Sequence, residues 1–336
     1  MRGSPKRRAA RALLGVAVLS LLMGSGCSSA KKKRQAATYD PAESVTEVVA
    51  VLRRHIPDDT YRFEPAVDFT GRNVYRASLL RLENMEQVHA DALRSGYLDA
   101  VMAFSKGRAL ERLRAFDLAA QQYRDAARKS GELREEALRS AGICEATFAA
   151  SKIGIDLRDP LAEEGPLEPL SLDTDWVIGE LDARIGEFLA IAQGIEESEN
   201  EDEHYQYVIR EEIERADVTR ARYFVGLRHV IEGGQVRAVS ELQRVVTRHS
   251  ASKKRRRHVL DLANLYAALA TEYAIAIPPE SLLFDPPRFQ ELVDAAAQLY
   301  ESVAAQDGTT EKIEAARRLE AFLAFTLQVD RDRFGN

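Results

Sequence analysis

Cysteine is almost missing from this 336-residue chain: Cys27 and Cys144 are the only two, and Trp176 is the only tryptophan. A framework of several disulfides is therefore excluded, and so is a zinc site built on a pair of closely spaced cysteines. The six histidines (His55, His89, His204, His229, His249, His258) include no H-x-x-x-H pair and no H-E-x-x-H, so a helical zinc-hydrolase motif is not expected. There is no G-x-G-x-x-G, no phosphate-cradling glycine loop and no G-x-S-x-G elbow. Carboxylate pairs such as Glu135-Glu136 and Glu211-Glu212 are plentiful, but adjacent residues on a helix point in different directions, which does not suit a glycosidase pair. No catalytic residue, metal or cofactor is expected.

Positive charge is not in excess either. The chain carries 47 Lys and Arg against 53 Asp and Glu. Residues 1–26 hold five of the basic residues and no acidic one, so the remainder has 42 against 53, a net charge of −11. That balance argues against a nucleic-acid partner, which selects a basic face. Long apolar runs are lacking as well. The one candidate, Leu13 to Met23 (LLGVAVLSLLM), is too short for a stable membrane-spanning helix.

What surrounds that short run is informative. Arg2, Lys6, Arg7, Arg8 and Arg11 precede it, and Gly24-Ser25-Gly26-Cys27 follow it. Basic head, apolar middle and small residues are the layout of a cleaved export signal. The segment resembles the lipobox of bacterial lipoproteins, with Gly24 standing where that family usually has an aliphatic residue. The resemblance implies cleavage before Cys27, a lipid-modified Cys27 and, with Ser28 following, an outer-membrane, periplasm-facing location. Each buried methylene of such an anchor contributes about 0.8 kcal/mol. With Cys27 lipidated, Cys144 has no disulfide partner. It lies in the apolar stretch SAGICEATFAA and is expected as a buried small hydrophobe. Residues 27–40, with Lys31, Lys32, Lys33 and Arg34, read as a solvated tether.

From Ser44 onward apolar residues recur at three- and four-residue intervals, and the expectation is an all-α fold. A first helix ends near Ile56-Pro57, an irregular patch covers Pro57 to Gly71, and a second helix spans Asn73 to about Arg94. In a 34-residue frame starting at Ala100, Gly107, Ala119 and Ala126 fall at positions 8, 20 and 27, and Leu110, Phe116 and Tyr123 at 11, 17 and 24. A frame starting at Thr219 places Gly226, Ala238, Leu242 and Val245 at 8, 20, 24 and 27, with Gly233-Gly234 at the turn. Both resemble the tetratricopeptide repeat, in which small side chains let two antiparallel helices approach and large ones fill the gaps. Arg134 to Ala150, His258 to Ile277 and Phe289 to Ala304 look like further single helices of such units, and Glu311 to Gln328 like a charged capping helix. The expected organisation is a signal peptide (1–26), a lipidated tether (27–40), an N-terminal helical segment (41–96), repeats (97–150), a loop, helix and acidic segment (151–217), repeats with a capping helix (218–328) and a tail (329–336). The acidic run Glu196 to Glu203 and the basic run Lys253 to Arg257 are expected as solvated loop and turn, or as docking points for charged partner segments, each other included.

The resemblance implies a superhelical α-solenoid whose first helices line a concave, protein-binding face. At repeat positions 2, 5, 9 and 12 those residues are Val101, Phe104, Arg108 and Glu111 in the first frame, and Arg220, Tyr223, Leu227 and Val230 in the second. Aromatic, aliphatic and arginine side chains suit an extended peptide or a partner helix. They lack the Lys/Asn arrangement that captures acidic chaperone tails in this repeat class. The function implied is a membrane-anchored adaptor for proteins or peptides of the cell envelope. The alternatives are a permanent structural subunit of a larger envelope machine, or a cell-wall hydrolase with its site in residues 57–96 or 155–215.

Overall fold

The computed structural model describes residues 40–61, 70, 73–95, 98–154, 174–197 and 203–334. Cys27 and the expected tether lie outside the described residues, as does most of the irregular patch at 57–71 and of the proline-rich segment after Ile155. Among the described residues there are eleven helices and no strand: α1 (Pro41–Tyr61), α2 (Val74–Ser95), α3 (Leu98–Arg112), α4 (Phe116–Lys129), α5 (Arg134–Ser151), α6 (Thr174–Glu196), α7 (Glu203–Gly226), α8 (Gly234–Arg248), α9 (Arg255–Ala276), α10 (Pro286–Ala304) and α11 (Thr310–Phe334). The fold is all-α.

Neighbours in sequence pack on one another throughout, from α1 on α2 to α10 on α11. The apolar core follows chain order too. One cluster joins α1, α2 and α3 through Val45, Leu52, Tyr75, Leu82 and Met102. A second runs from α3 to α7 around Phe116, Tyr123, Phe188 and Ile209, a third binds α7 to α8 and α9, and a fourth closes α9, α10 and α11. Helix α9 is apolar on two sides because it serves two clusters: Leu262, Leu265 and Leu269 face the third, Leu260, Ala263 and Ala270 the fourth. Three contacts break the sequential pattern: α1 on α3, α9 on α11 and α1 on α7.

The α3–α4 pair shows why small residues are required. A Cβ built on Gly107 would sit 2.7 Å and 2.8 Å from the Cε1 and Cδ1 atoms of the Tyr123 ring. Ala119, Ala126 and Tyr123 are fully buried, and Phe116 is almost so. Only glycine lets the two helices close over the ring. The turn between them contains Arg114 in the left-handed region, φ 62°, an unusual conformation for a residue with a side chain. At the α7–α8 turn Gly233 takes φ 65°, and Gly234 abuts backbone: a Cβ there would meet the Arg228 carbonyl oxygen at 2.7 Å. Helix α10 starts on Asp285, whose side chain accepts from the Arg288 N–H, with Pro286 and Pro287 in the first turn.

Four sequence expectations need correction. Helix α1 does not stop at Pro57 but runs through it to Tyr61, carrying Asp59 to a buried anchoring position. Helix α7 ends at Gly226, which is exposed rather than a close-packing point. Leu227 and Val230 then lie in the turn that follows, tied by the Val230 N–H to the Leu227 carbonyl, and not on a helix face. The supposed tail continues α11 to Phe334, with Val329 buried.

Candidate binding trough along α7

Helix α7 is rich in carboxylates, and Glu212, Glu214 and Asp217 are buried while Glu211 is half-buried. A buried carboxylate is tolerated only with cationic or hydrogen-bonding partners. The fold supplies them from the α3–α4 turn on one flank and the α8–α9 turn on the other.

On the first flank, Arg114 grips Glu212 with two bonds of 2.8 Å, aimed by its left-handed backbone. Arg112 bonds Glu211 at 3.1 Å and also Asp59 of α1 at 3.2 Å. Lys253 closes the circuit, reaching Glu211 at 2.5 Å and the Asp59 carbonyl oxygen. Four separate segments are thus joined by one alternating ring of charge. Burial raises the Asp59 carboxyl above its ordinary range despite the opposing Arg112 charge.

Deeper on the same flank lies Glu111. Its carboxylate, 1 % exposed, accepts from the Tyr123 hydroxyl at 2.9 Å, meets His204 Nε2 at 2.6 Å and lies 3.5 Å from Arg108. Burial alone would raise its pKa; the His204 and Arg108 charges, with hydrogen bonds from His204 and Tyr123, outweigh that and hold it at about 2. Arg108 packs its guanidinium among three rings, 5.2 Å from Phe104, 5.8 Å from Tyr123 and 5.1 Å from Tyr205. Cys144 is buried and free, its thiol pushed up by burial and by the nearby Glu111 charge, as expected of an inert small hydrophobe.

On the second flank, Asp217 meets His249 at 2.8 Å, Arg248 at 3.1 Å and Arg244 at 3.2 Å. Glu214 accepts from Ser252 at 2.7 Å and meets His258 at 2.5 Å. Burial pushes the Glu214 pKa up, but the hydrogen bonds from His258 and Ser252 prevail and lower it. The order here is hydroxyl, carboxylate, imidazole. In nucleophilic catalysis the base contacts the hydroxyl and the acid orients the base. Here the carboxylate sits between the two, and its lowered pKa makes it a weak base. The arrangement holds the α8–α9 turn onto α7.

Between these anchored walls lies open space. A cavity of ≈ 420 Å³ runs beside α7, its apolar lining supplied by Leu189, Tyr207, Ile213 and Ala251 and its cations by Arg210, Arg248 and Lys253. A smaller one of ≈ 230 Å³, on the side of the α3–α4 turn, shares Glu211 and Lys253 with it. Arg210 is exposed and stacks 5.4 Å from the centre of the Tyr207 ring. The large cavity sets an apolar floor beside a rim of both signs: Glu211 and Glu214 line it too, Arg248 and Lys253 are paired with Asp217 and Glu211, and Arg210 is its exposed cation.

The concave-face residues expected from the repeat frames divide. Val101, Phe104, Arg108, Arg220 and Tyr223 are half-buried on helices, but Leu227 and Val230 are in a turn. Glu111 is corrected outright: a carboxylate enclosed by His204, Arg108 and Tyr123 presents nothing to a partner. Arg220 is likewise engaged, with Asp182 and Glu241. Of the basic run, Lys253 is taken by Glu211, and Arg257 by Glu314 and Asp261. Of the residues lining the trough, Tyr207 and Arg210 escape the sequence reading. The one available signal was an aromatic and an arginine at i and i+3 in a helix otherwise crowded with carboxylates. Among the described residues, no group of three or more His, Cys, Asp or Glu could hold a metal ion, and no helix is long and apolar enough to cross a membrane. Compared with protein-family models, with curated proteins and with solved structures, the chain matches none.

Proposed function

We propose that the chain is a lipid-anchored, non-catalytic scaffold of the bacterial envelope, built from tetratricopeptide-like helix pairs, that holds another protein in the trough along α7. The observation that carries this reading is the trough itself. Its walls are fixed by internally neutralised charges, yet an apolar floor with Tyr207 and Arg210 at its edge stays accessible. Aromatic and arginine side chains beside an apolar cleft are the composition of binding hot spots. The occupant that fits is an extended or helical segment with an apolar anchor and an acidic residue to meet Arg210. Gly107 against Tyr123 supports the repeat relationship, since positions 8 and 24 of the frame meet where small and large residues are required. The order of Ser252, Glu214 and His258 favours structure over catalysis.

The lipid anchor rests on the sequence before Cys27, and one substitution tests it. Cys27→Ala is expected to accumulate as uncleaved precursor without acyl mass, seen by intact-protein mass spectrometry of membrane fractions. Normal maturation of that variant removes the anchor from the account. A second reading, a permanent subunit of a larger envelope machine, is favoured by one observation. Leu282 is fully exposed, and Leu283 and Ile275 are mostly so, a concentration of apolar surface at the α9–α10 connection that an exchanging adaptor does not need. A subunit of that kind resists exchange with added free protein, whereas an adaptor exchanges.

A further inference from the structure

Helix α11 is the last of the stack, and its inner side is occupied: Ala315, Phe322 and Val329 are buried in the cluster with α9 and α10. Its opposite side follows a seven-residue repeat. Ile313, Glu320 and Leu327 recur every seventh position, with Ala316 and Leu323 three residues after the first two, and all five are exposed. Ile313 and Leu327 are about 70 % exposed. Sevenfold spacing with alternating steps of three and four is the pattern of a helix seam that takes another helix. The stripe spans about 21 Å, roughly four turns.

The charges within the stripe choose the partner. Arg317 and Glu320 lie side by side in its middle, one of each sign, and among the described residues neither has an ion-pair partner within the chain. We propose that this face pairs two copies of the chain through their α11 helices, arranged antiparallel about a two-fold axis near residue 318. In that register Ile313 of each copy lies opposite Leu323 of the other. Glu320 of each copy comes beside Ala316 and Arg317 of the other, so both opposite-charge contacts form at once. A two-fold interface places residue i on j and j on i, and this stripe is complementary to itself in that sense. A parallel pair would set Glu320 against Glu320. A partner of single charge would satisfy one of the two residues and repel the other. The inference concerns self-association and is independent of what the α7 trough binds.

The test is sedimentation velocity on the full-length chain in mild detergent, with and without substitutions at these exposed positions. Wild type is expected to show a concentration-dependent monomer–dimer equilibrium with Kd on the order of micromolar, since a single helix pair buries less than a standard interface. Glu320→Arg sets like charges against each other in both contacts and should weaken dimerisation by at least about tenfold. The double exchange Arg317→Glu with Glu320→Arg restores opposite charges and should bring the Kd back to within about threefold of wild type. Ile313→Asp, at the position facing Leu323 of the other copy, should also weaken the dimer, with unchanged far-ultraviolet circular dichroism. A wild-type chain that stays monomeric at about 100 µM overturns the proposal, whether or not the stripe then takes another protein or a membrane surface. So does a double exchange that fails to rescue.

Discussion

Glu111→Ala is expected to cost about 3–5 kcal/mol of stability, read as a shift in the denaturant midpoint. Removing the carboxylate leaves the Tyr123 hydroxyl, His204 and the Arg108 guanidinium without their shared acceptor in a site that excludes water. It also opens a void where α3, α4 and α7 meet. Glu111→Gln keeps the shape and part of the hydrogen bonding, so it should cost less. The glutamine variant also isolates the pH dependence. In the folded chain the Glu111 carboxyl titrates at about 2, against an ordinary value of 4.5. A depressed pKa means its stabilisation is fully present above about pH 4.5 and is lost as pH falls toward 2. Wild type should therefore lose stability more steeply than Glu111→Gln across that window. Parallel acid profiles would show that Glu111 is not held as an anion.

The second large effect is expected at Arg112. Its side chain, 5 % exposed, is the shared partner of Asp59 and Glu211 and so couples α1, α3 and α7. Arg112→Met keeps much of the side chain's apolar bulk and removes both ion pairs, leaving Asp59 in a buried site with only part of its compensation. A loss of about 3–5 kcal/mol at neutral pH follows from breaking a buried pair on one side. The direction of the pH response follows as well. Burial already raises the Asp59 pKa, and the Arg112 charge is the largest influence lowering it. Without Arg112 the carboxyl should rise further and take up a proton on folding. The variant should then gain more stability than wild type does as pH is lowered from neutral. Hydrogen exchange of α1 should rise first, because Asp59 is the anchor of its C-terminal end. An Arg112→Met protein with wild-type stability and flat pH response would mean that the charge ring adds nothing.

These two residues also show how far the sequence could be read. Helix positions and the small-against-large match of Gly107 with Tyr123 were legible because they depend on residues within one helical hairpin. The face assigned to Glu111 was not, because what covers it is His204, which is 93 residues away. Local periodicity carries no information about a helix arriving from that distance. The same holds for Arg112 and Asp59, 53 residues apart, and for Lys253 and Asp59, 194 apart. The second repeat frame failed at Leu227 and Val230 for a local reason. The frame assumes first helices of one length, but Gly226 ends α7 early and Gly233 and Gly234 tighten the turn behind it. The burial of Glu212, Glu214 and Asp217 on α7 is not legible either, because a carboxylate buried by partners cannot be told from an exposed one by sequence alone. The trough was hidden with them.

The protein-binding claim is tested most directly by photo-cross-linking inside intact cells. A benzoyl-phenylalanine placed at Tyr207 keeps an aromatic ring at the edge of the ≈ 420 Å³ cavity, and the same residue at Gln121, exposed on α4, serves as the control. Irradiation is expected to give discrete higher-mass adducts from position 207 and none from 121. Adducts of equal yield from both positions, or none from 207, would contradict a partner seated along α7.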